Sequence, residues 1–144
     1  MSSNTAAIIG GGVIGGGWAA RFLLNGWNVH VYDPSDDAQR NINMVLENAR
    51  ASLPELADVP MPAEGALSFV ADIKSAVTDA DWIQESVPER IEIKHSVYKE
   101  IQQHAPVTAV LGSSTSGYMP TVLQENAIRP EPVSYTHLTL PTKA

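Results

Sequence analysis

The sequence contains no cysteine among its 144 residues. The chain therefore forms no disulfide, offers no thiolate nucleophile and binds no metal through sulfur. This absence suits a reducing compartment, and we expect a cytoplasmic protein. The four histidines do not stand at the spacing of metal ligands, so we predict no metal site.

Basic residues and long apolar runs are also scarce. Nine lysines and arginines stand against sixteen acidic residues, which gives a formal net charge of −7. Because nucleic-acid binding relies on a basic patch that displaces counterions, we expect no nucleic-acid partner. The apolar run near the N-terminus is too short and too rich in glycine to cross a bilayer, and no basic flank precedes it, so we expect no membrane partner. The composition, 44% hydrophobic, is that of one globular domain.

A glycine-rich turn is the strongest positive feature of the chain. The apolar residues 6–9 lead into Gly-Gly-Gly-Val-Ile-Gly at residues 10–15, which has the G-x-G-x-x-G spacing of a dinucleotide-binding unit. A helix candidate at residues 18–24 follows, and an alternating segment at residues 28–33 comes next. This order of strand, glycine turn, helix and strand is the context that the motif requires.

Each residue of the turn has a predicted role in binding. Gly10 permits a tight turn after the strand, Gly12 lets the backbone approach a pyrophosphate, and Gly15 lets the next helix pack closely. The free N–H groups at the helix start, at Val13 and Ile14, are directed at the phosphates.

Asp33 ends the second alternating segment, about twenty residues after the turn. A carboxylate there accepts hydrogen bonds from ribose hydroxyls and repels a 2′-phosphate, so we expect NAD as the cofactor rather than NADP. The plainer interpretation is an ordinary strand-loop-helix connection with a solvated aspartate in its turn.

Strand and helix patterns alternate along the rest of the chain. We predict a doubly wound parallel sheet of Rossmann type, an α/β fold, because alternating elements imply right-handed crossovers. In the second helix, Ser35 is the expected cap and Pro54 the expected stop. The predicted helices cover residues 18–24, 35–53, 73–77 and 90–103, and the predicted strands cover residues 6–9, 28–33, 67–70, 81–86 and 107–112.

Ligands of such sheets bind beyond the carboxyl ends of the strands. Two segments there are candidates. Glu89 and Lys94 lie at or just inside a helix start, and Ser116 belongs to a hydroxyl cluster at residues 112–117. The plainer interpretation makes Glu89 and Lys94 helix-terminal charges on a solvated face. It makes Ser116 a loop hydroxyl that bonds to the local backbone.

Three blocks together resemble the NAD-binding domain of the 3-hydroxyacyl-CoA dehydrogenase family, from residue 6 to about residue 132. They are the glycine turn with Asp33, the run Asp-Trp-Ile-Gln-Glu-Ser-Val-Pro-Glu-Arg at residues 81–90, and Gly-Ser-Ser-Thr-Ser-Gly at residues 112–117. Acyl-CoA members more often have Asn where Ser114 stands, and the second and third blocks are similar to the carnitine branch of the family.

The resemblance implies NAD-dependent oxidation of a 3-hydroxy substrate to the 3-keto product, with L-carnitine giving 3-dehydrocarnitine. It implies that Glu89 and Lys94 contact the cofactor region, and that Ser116 hydrogen-bonds the reacting oxygen of the substrate. The family's base is a histidine oriented by a glutamate. A further helical domain would cover the nicotinamide and form a homodimer, so we expect this chain to be inactive by itself.

The last twelve residues depart from the family pattern. Residues 133–144 resemble the translation of an adapter used in DNA library preparation, and we expect an incomplete NAD-binding domain over 1–132 and a non-native tail over 133–144. His137 stands at about the family's spacing from Ser116, but its flanking residues do not match and its glutamate partner is absent. We therefore do not expect His137 to be the base.

Three alternatives stay open. The same motifs fit a 3-hydroxyacyl-CoA dehydrogenase of fatty-acid oxidation or a sugar-acid 3-dehydrogenase, so the small-molecule partner is either carnitine or another 3-hydroxy compound such as a 3-hydroxyacyl-CoA. They also fit a non-catalytic NAD-binding or crystallin-like protein. A flavoprotein is a third alternative, because FAD domains use the same glycine turn.

Overall fold

The computed structural model of the chain describes residues 3–114 and the backbone of residues 133–135. Strands and helices alternate through these residues, as the sequence patterns predict. The elements are β1 (Thr5–Ile9), α1 (Val13–Leu24), β2 (Asn28–Tyr32), α2 (Ala38–Leu56), β3 (Leu67–Phe69), α3 (Ile73–Val77), β4 (Trp82–Glu85), α4 (Ile91–His104), β5 (Val110–Ser113) and β6 (Val133–Tyr135).

The strands form one parallel sheet in the order β3-β2-β1-β4-β5-β6. The chain winds outward from β1 in one direction and then, from β4, in the other. The point between β1 and β4 is therefore the switch point, where the loops after two neighbouring strands diverge and leave a crevice. The Rossmann-type fold expected from the sequence is confirmed.

Strand β1 is buried on both faces. Ala6 and Ile8 contribute to the core beneath α1 and α2, whereas Ala7 and Ile9 contribute to the core beneath α3 and α4. All four side chains are at most 1% exposed. This explains why β1 is a continuous apolar run rather than an alternating one, as is usual for a central parallel strand covered by helices.

Glycines bring α1 close to its neighbours. A Cβ at Gly15 would lie 1.9 Å from the carbonyl oxygen of Gly10, and one at Gly16 would lie 3.2 Å from Val45 Cγ2 of α2. The close packing predicted at Gly15 is present. In the described residues no helix is long and apolar enough to cross a membrane.

Helix α3 is short and depends on its cap. The Asp72 carboxylate accepts a hydrogen bond of 2.7 Å from the backbone N–H of Ser75 in the first turn. Hydrogen bonds from the side chain and backbone of Ser75 lower the pKa of Asp72 below its usual value.

Helix α2 differs from the sequence prediction at both ends. Ser35 does not cap it, because its hydroxyl accepts a 3.2 Å bond from the N–H of Asp37 in the preceding turn and the helix begins at Ala38. The stop predicted at Pro54 is also wrong, since Pro54 lies inside the helix. Only the last turn follows Pro54, and residues 50–52 are exposed, so water can replace the helix bond that proline cannot donate.

The starts of α1 and β5 differ from the prediction by several residues as well. Helix α1 begins at Val13, five residues before the predicted start, because the glycine turn passes directly into a helix whose first turns hold Gly15, Gly16 and Gly17. Low intrinsic propensity is overridden there by tertiary packing. Strand β5 begins at Val110, later than predicted. Strand β6 begins at residue 133, the first residue of the segment expected to be a tail.

Gly15→Ala is expected to lower the free energy of unfolding by at least about 2 kcal/mol, because the added methyl meets backbone that has little freedom to move. Gly17→Ala is the matched control in the same helix, since a Cβ at Gly17 meets nothing within 4 Å. It should raise stability by about 0.5–1 kcal/mol through helix propensity. Urea titrations monitored by circular dichroism measure both, and equal effects of the two substitutions would contradict the packing.

Candidate functional site

A cleft of about 580 Å³ opens at the carboxyl edge of the sheet. Its walls come from the glycine turn after β1, the end of β2, the start of α3, and the turn and helix after β4. It therefore lies at the switch point, where this fold places its ligands. The lining residues are Ile9, Gly10, Gly12, Tyr32, Asp33, Pro34, Ile73, Ser86, Val87, Pro88, Ile93, Val97 and Glu100.

Gly10 forms the tight turn at the floor of the cleft. Its φ is +107°, a left-handed conformation in which any residue with a side chain is strained. Its N–H donates a 2.9 Å bond to the carbonyl of Tyr32, and a Cβ would lie 2.5 Å from the carbonyl oxygen of Ser86. The turns after β1 and β4 are therefore in direct backbone contact, which only glycine allows.

At position 12, no contact inside the domain requires a glycine. A Cβ placed there would meet nothing within 4 Å. Gly12 is the N-cap of α1 and supplies no side-chain hydrogen bond to the helix. The next residues, Val13 and Ile14, are 80% and 52% exposed. An open backbone surface at a helix N-terminus attracts anions, because unpaired N–H groups and the helix dipole both favour negative charge.

Asp33 follows β2 at the rim of the cleft. One carboxylate oxygen, Oδ2, accepts from the N–H of Gly11, and Oδ1 accepts 2.7 Å from the N–H of Ser35. The half-buried carboxylate is thus fixed between the glycine turn and the turn that leads to α2. It stands where the sequence predicts a ribose-binding carboxylate.

Glu85, at the end of β4, was not among the predicted site residues, yet its carboxylate is completely buried. Its Oε1 accepts 2.5 Å from the Tyr98 hydroxyl and 2.7 Å from the Ser113 hydroxyl. Its Oε2 accepts 2.8 Å from Lys94 Nζ and 2.8 Å from the N–H of Val87. The signal in the sequence is an acidic residue that directly follows buried strand residues, because a charge in such a place needs partners.

Lys94 is also buried, with a side chain that is 1% exposed. Its ammonium lies 2.8 Å from Glu85 Oε2, 3.1 Å from Glu89 Oε1 and 3.2 Å from the carbonyl oxygen of Val87. The interpretation that Lys94 is a charge on a solvated face is therefore wrong. The Glu89 side chain is 44% exposed, so Lys94 joins a buried carboxylate to one at the surface.

A second polar network lies beside the first. Gln84 is buried; its Oε1 accepts 3.0 Å from the Trp82 indole N–H, and its Nε2 donates 2.8 Å to the Ser114 hydroxyl. Ser114 in turn lies 2.9 Å from the Ser86 hydroxyl. The start of the predicted hydroxyl cluster therefore stands at the strand ends. Ser116 and His137 lie outside the described residues.

No three histidine, aspartate or glutamate side chains within residues 3–114 come together as a metal-binding group. What the described residues assemble is an anion-attracting helix start, a carboxylate at the rim of the cleft and a rigid turn between them. This combination fits a dinucleotide with two ribose rings and a pyrophosphate.

Comparison with known proteins also indicates a dinucleotide-binding domain. The family model described as 3-hydroxyacyl-CoA dehydrogenase, NAD binding domain, matches residues 5–144. A protein of Ruegeria pomeroyi named L-carnitine dehydrogenase/betainyl-CoA thioesterase is 63% identical over 134 residues, which cover 93% of this chain and 28% of that protein. A protein of Mesorhizobium japonicum named L-carnitine dehydrogenase is 52% identical over 121 residues, covering 84% of this chain and 33% of that protein. The chain thus spans about a third or less of the length of these relatives.

Solved structures with this fold include two dehydrogenases. FHMPC 5-dehydrogenase, described as an NAD⁺-dependent dismutase, matches with a TM-score of 0.82 and 33% identity over 97% of this chain and 46% of its own. The 3-hydroxybutyryl-CoA dehydrogenase of Escherichia coli matches with a TM-score of 0.75 and 24% identity, over 94% of this chain and 29% of its own, and supports the fold alone.

Lys94→Met is expected to lower the free energy of unfolding by about 3–5 kcal/mol, because it leaves the Glu85 carboxylate buried without its cation. Lys99→Met is the matched control. Lys99 lies on the same helix but is exposed, and its loss should change stability by less than about 0.5 kcal/mol. Urea denaturation of both variants measures the difference, and a Lys94→Met variant as stable as the control would show that the buried pair contributes little.

Proposed function

This chain belongs to the 3-hydroxyacyl-CoA dehydrogenase family through its NAD-binding domain, and on that premise we propose that it is the cofactor-binding part of an enzyme that oxidises L-carnitine to 3-dehydrocarnitine. The observation that carries the proposal is the cleft with Asp33 at its rim, on a chain whose similar relatives are named for L-carnitine oxidation. NAD is the cofactor of this domain.

Different residues around the cleft would hold different parts of NAD. The backbone at Gly12 and the first amides of α1, at Val13 and Ile14, would hold the pyrophosphate, while Gly10 and Gly15 keep the turn in place. Asp33 would accept the ribose hydroxyls, and its charge disfavours a 2′-phosphate.

Glu89 and Lys94 would lie by the other half of the cofactor, because Glu89 directly follows the turn at residues 86–88 that lines the cleft on the side of β4, and Lys94 is paired with Glu89. When bound, oxidised nicotinamide accepts a hydride. Oxidation also removes the hydroxyl proton, and Ser116 would hydrogen-bond the reacting oxygen during that step. We assign no base within residues 3–114. The base, the substrate pocket, a homodimer interface and a cytoplasmic location belong to the proposal for the complete protein.

The boundary between residues 132 and 133 stays a prediction. Amplifying the locus from its source DNA and sequencing across the codon for Pro132 tests it. A reading frame that continues into a histidine-containing segment and a helical domain would support a non-native tail over residues 133–144. Recovery of the same twelve residues would refute it and make His137 a candidate base.

Asp33→Ala is expected to weaken NAD⁺ binding by about 10- to 100-fold, since hydrogen bonds to charged groups contribute about 1.5–3 kcal/mol. Binding of NADP⁺ should change less, because the repulsion of its 2′-phosphate is removed together with the hydrogen bonds. Isothermal titration with both cofactors measures the ratio. Asp79→Ala makes the same change of charge in the loop that precedes β4, at the opposite edge of the sheet, and should leave both affinities unchanged. An NAD⁺ affinity that is unchanged in the Asp33→Ala variant would show that Asp33 does not bind the cofactor.

The substrate is tested on the complete reading frame of the gene. With L-carnitine and NAD⁺, we expect NADH to accumulate and 3-dehydrocarnitine to form, both detectable by absorbance and mass spectrometry. Turnover of a 3-hydroxyacyl-CoA but not of L-carnitine would overturn the carnitine assignment and favour fatty-acid oxidation. Binding of NAD without turnover of either substrate would favour a non-catalytic protein.

A further inference from the structure

We propose that Glu85 is a positioning residue for the cofactor site, which holds the Lys94 ammonium and, through it, the Glu89 carboxylate at the margin of the cleft. The proposal rests on the proposed function, because it takes NAD as the occupant of the cleft. None of the sequence patterns assigned a role to Glu85.

The two oxygens of Glu85 have different partners. Oε1 is bonded by the hydroxyls of Tyr98 in α4 and Ser113 in β5. Oε2 is bonded by Lys94 Nζ, from the first turn of α4, and by the N–H of Val87, in the turn after β4. Because a carboxylate is planar and rigid, fixing Oε1 also fixes the direction of Oε2. The core of the domain thereby determines where the ammonium of Lys94 stands.

Because Glu85 and Lys94 are both buried, their relative positions have little freedom to change. Neither Glu85 nor Lys94 has water to replace a lost partner, since both are completely buried. A buried ion pair offsets its desolvation cost only when its geometry and its additional hydrogen bonds are good. Four donors on one carboxylate and three acceptors around one ammonium meet that condition.

The far side of Lys94 contacts the turn that lines the cleft. Its ammonium contacts the carbonyl of Val87 and the carboxylate of Glu89. Val87 lines the cleft, and the backbone of residues 86 and 87 lies against Gly10 so closely that a Cβ on Gly10 would be 2.5 Å from the Ser86 oxygen. Any shift of Lys94 therefore moves the turn that borders the glycine turn, together with a half-exposed carboxylate.

Glu85→Gln tests the proposal. The amide carries no negative charge and has a single oxygen acceptor, so Lys94 loses its anionic partner. We expect NADH to bind about tenfold more weakly, within the range of coupling energies between residues in contact. Titration of nicotinamide fluorescence on the present chain measures the Kd, at a temperature where circular dichroism shows each variant folded.

A double-mutant cycle separates positioning from general loss of stability. If Glu85 acts through Lys94 on Glu89, then Glu85→Gln should weaken NADH binding by less than about twofold when Glu89→Gln is already present. Ile101→Ala is the matched control. It removes a buried side chain from the same helix, and it should lower stability while changing the Kd by less than about twofold.

If Glu85→Gln alone does not fold, the pair Glu85→Gln/Lys94→Met takes its place in the cycle, because it leaves no single charge buried. The same tenfold loss is expected, again without a further loss on adding Glu89→Gln. An unchanged Kd, or losses that multiply with that of Glu89→Gln, would overturn the positioning role while the proposed function stands. A wild-type chain that does not bind NADH would overturn the proposed function and this inference with it.

Discussion

The close backbone contact between the turns after β1 and β4 is the constraint on which the site depends. Gly10 leaves no room for a side chain against Ser86, and Gly15 leaves none against Gly10. This contact fixes the start of α1, and the N–H of Gly11 next to it bonds the Asp33 carboxylate. The helix terminus and the Asp33 carboxylate are thus held at one opening by a backbone arrangement that tolerates glycine alone.

Charge is distributed around that opening in two ways. Asp33 is half-buried and, among residues 3–114, is bonded only by backbone N–H groups, so it can accept hydrogen bonds from the hydroxyl groups of a ligand. Glu85 and Lys94 are buried and bonded to each other, so they act on the site through the turn that they hold. The exposed pair between Arg50 and Glu64, by contrast, lies in solvent and contributes little to stability.

The sequence was sufficient for the doubly wound parallel sheet and for the glycine turn, because hydrophobic period and turn chemistry are local properties. It was insufficient for Pro54, since the cost of proline depends on whether water reaches the freed carbonyl. One of its two interpretations of Lys94, a charge on a solvated face, was also wrong. Lys94 is buried together with Glu85, which the strand-to-helix turn brings next to it. The sequence could not predict the buried pair, because its partners come from three elements that meet only in the folded domain.

We expect NAD to occupy the cleft between these two turns. A ¹⁵N–¹H correlation spectrum of the chain titrated with NAD⁺ tests this directly. The backbone amides of Gly12, Val13 and Ile14 and the amides beside Asp33 should shift most, while those at the opposite edge of the sheet stay in place. Saturable shifts confined to another surface, or none at these residues, would contradict it.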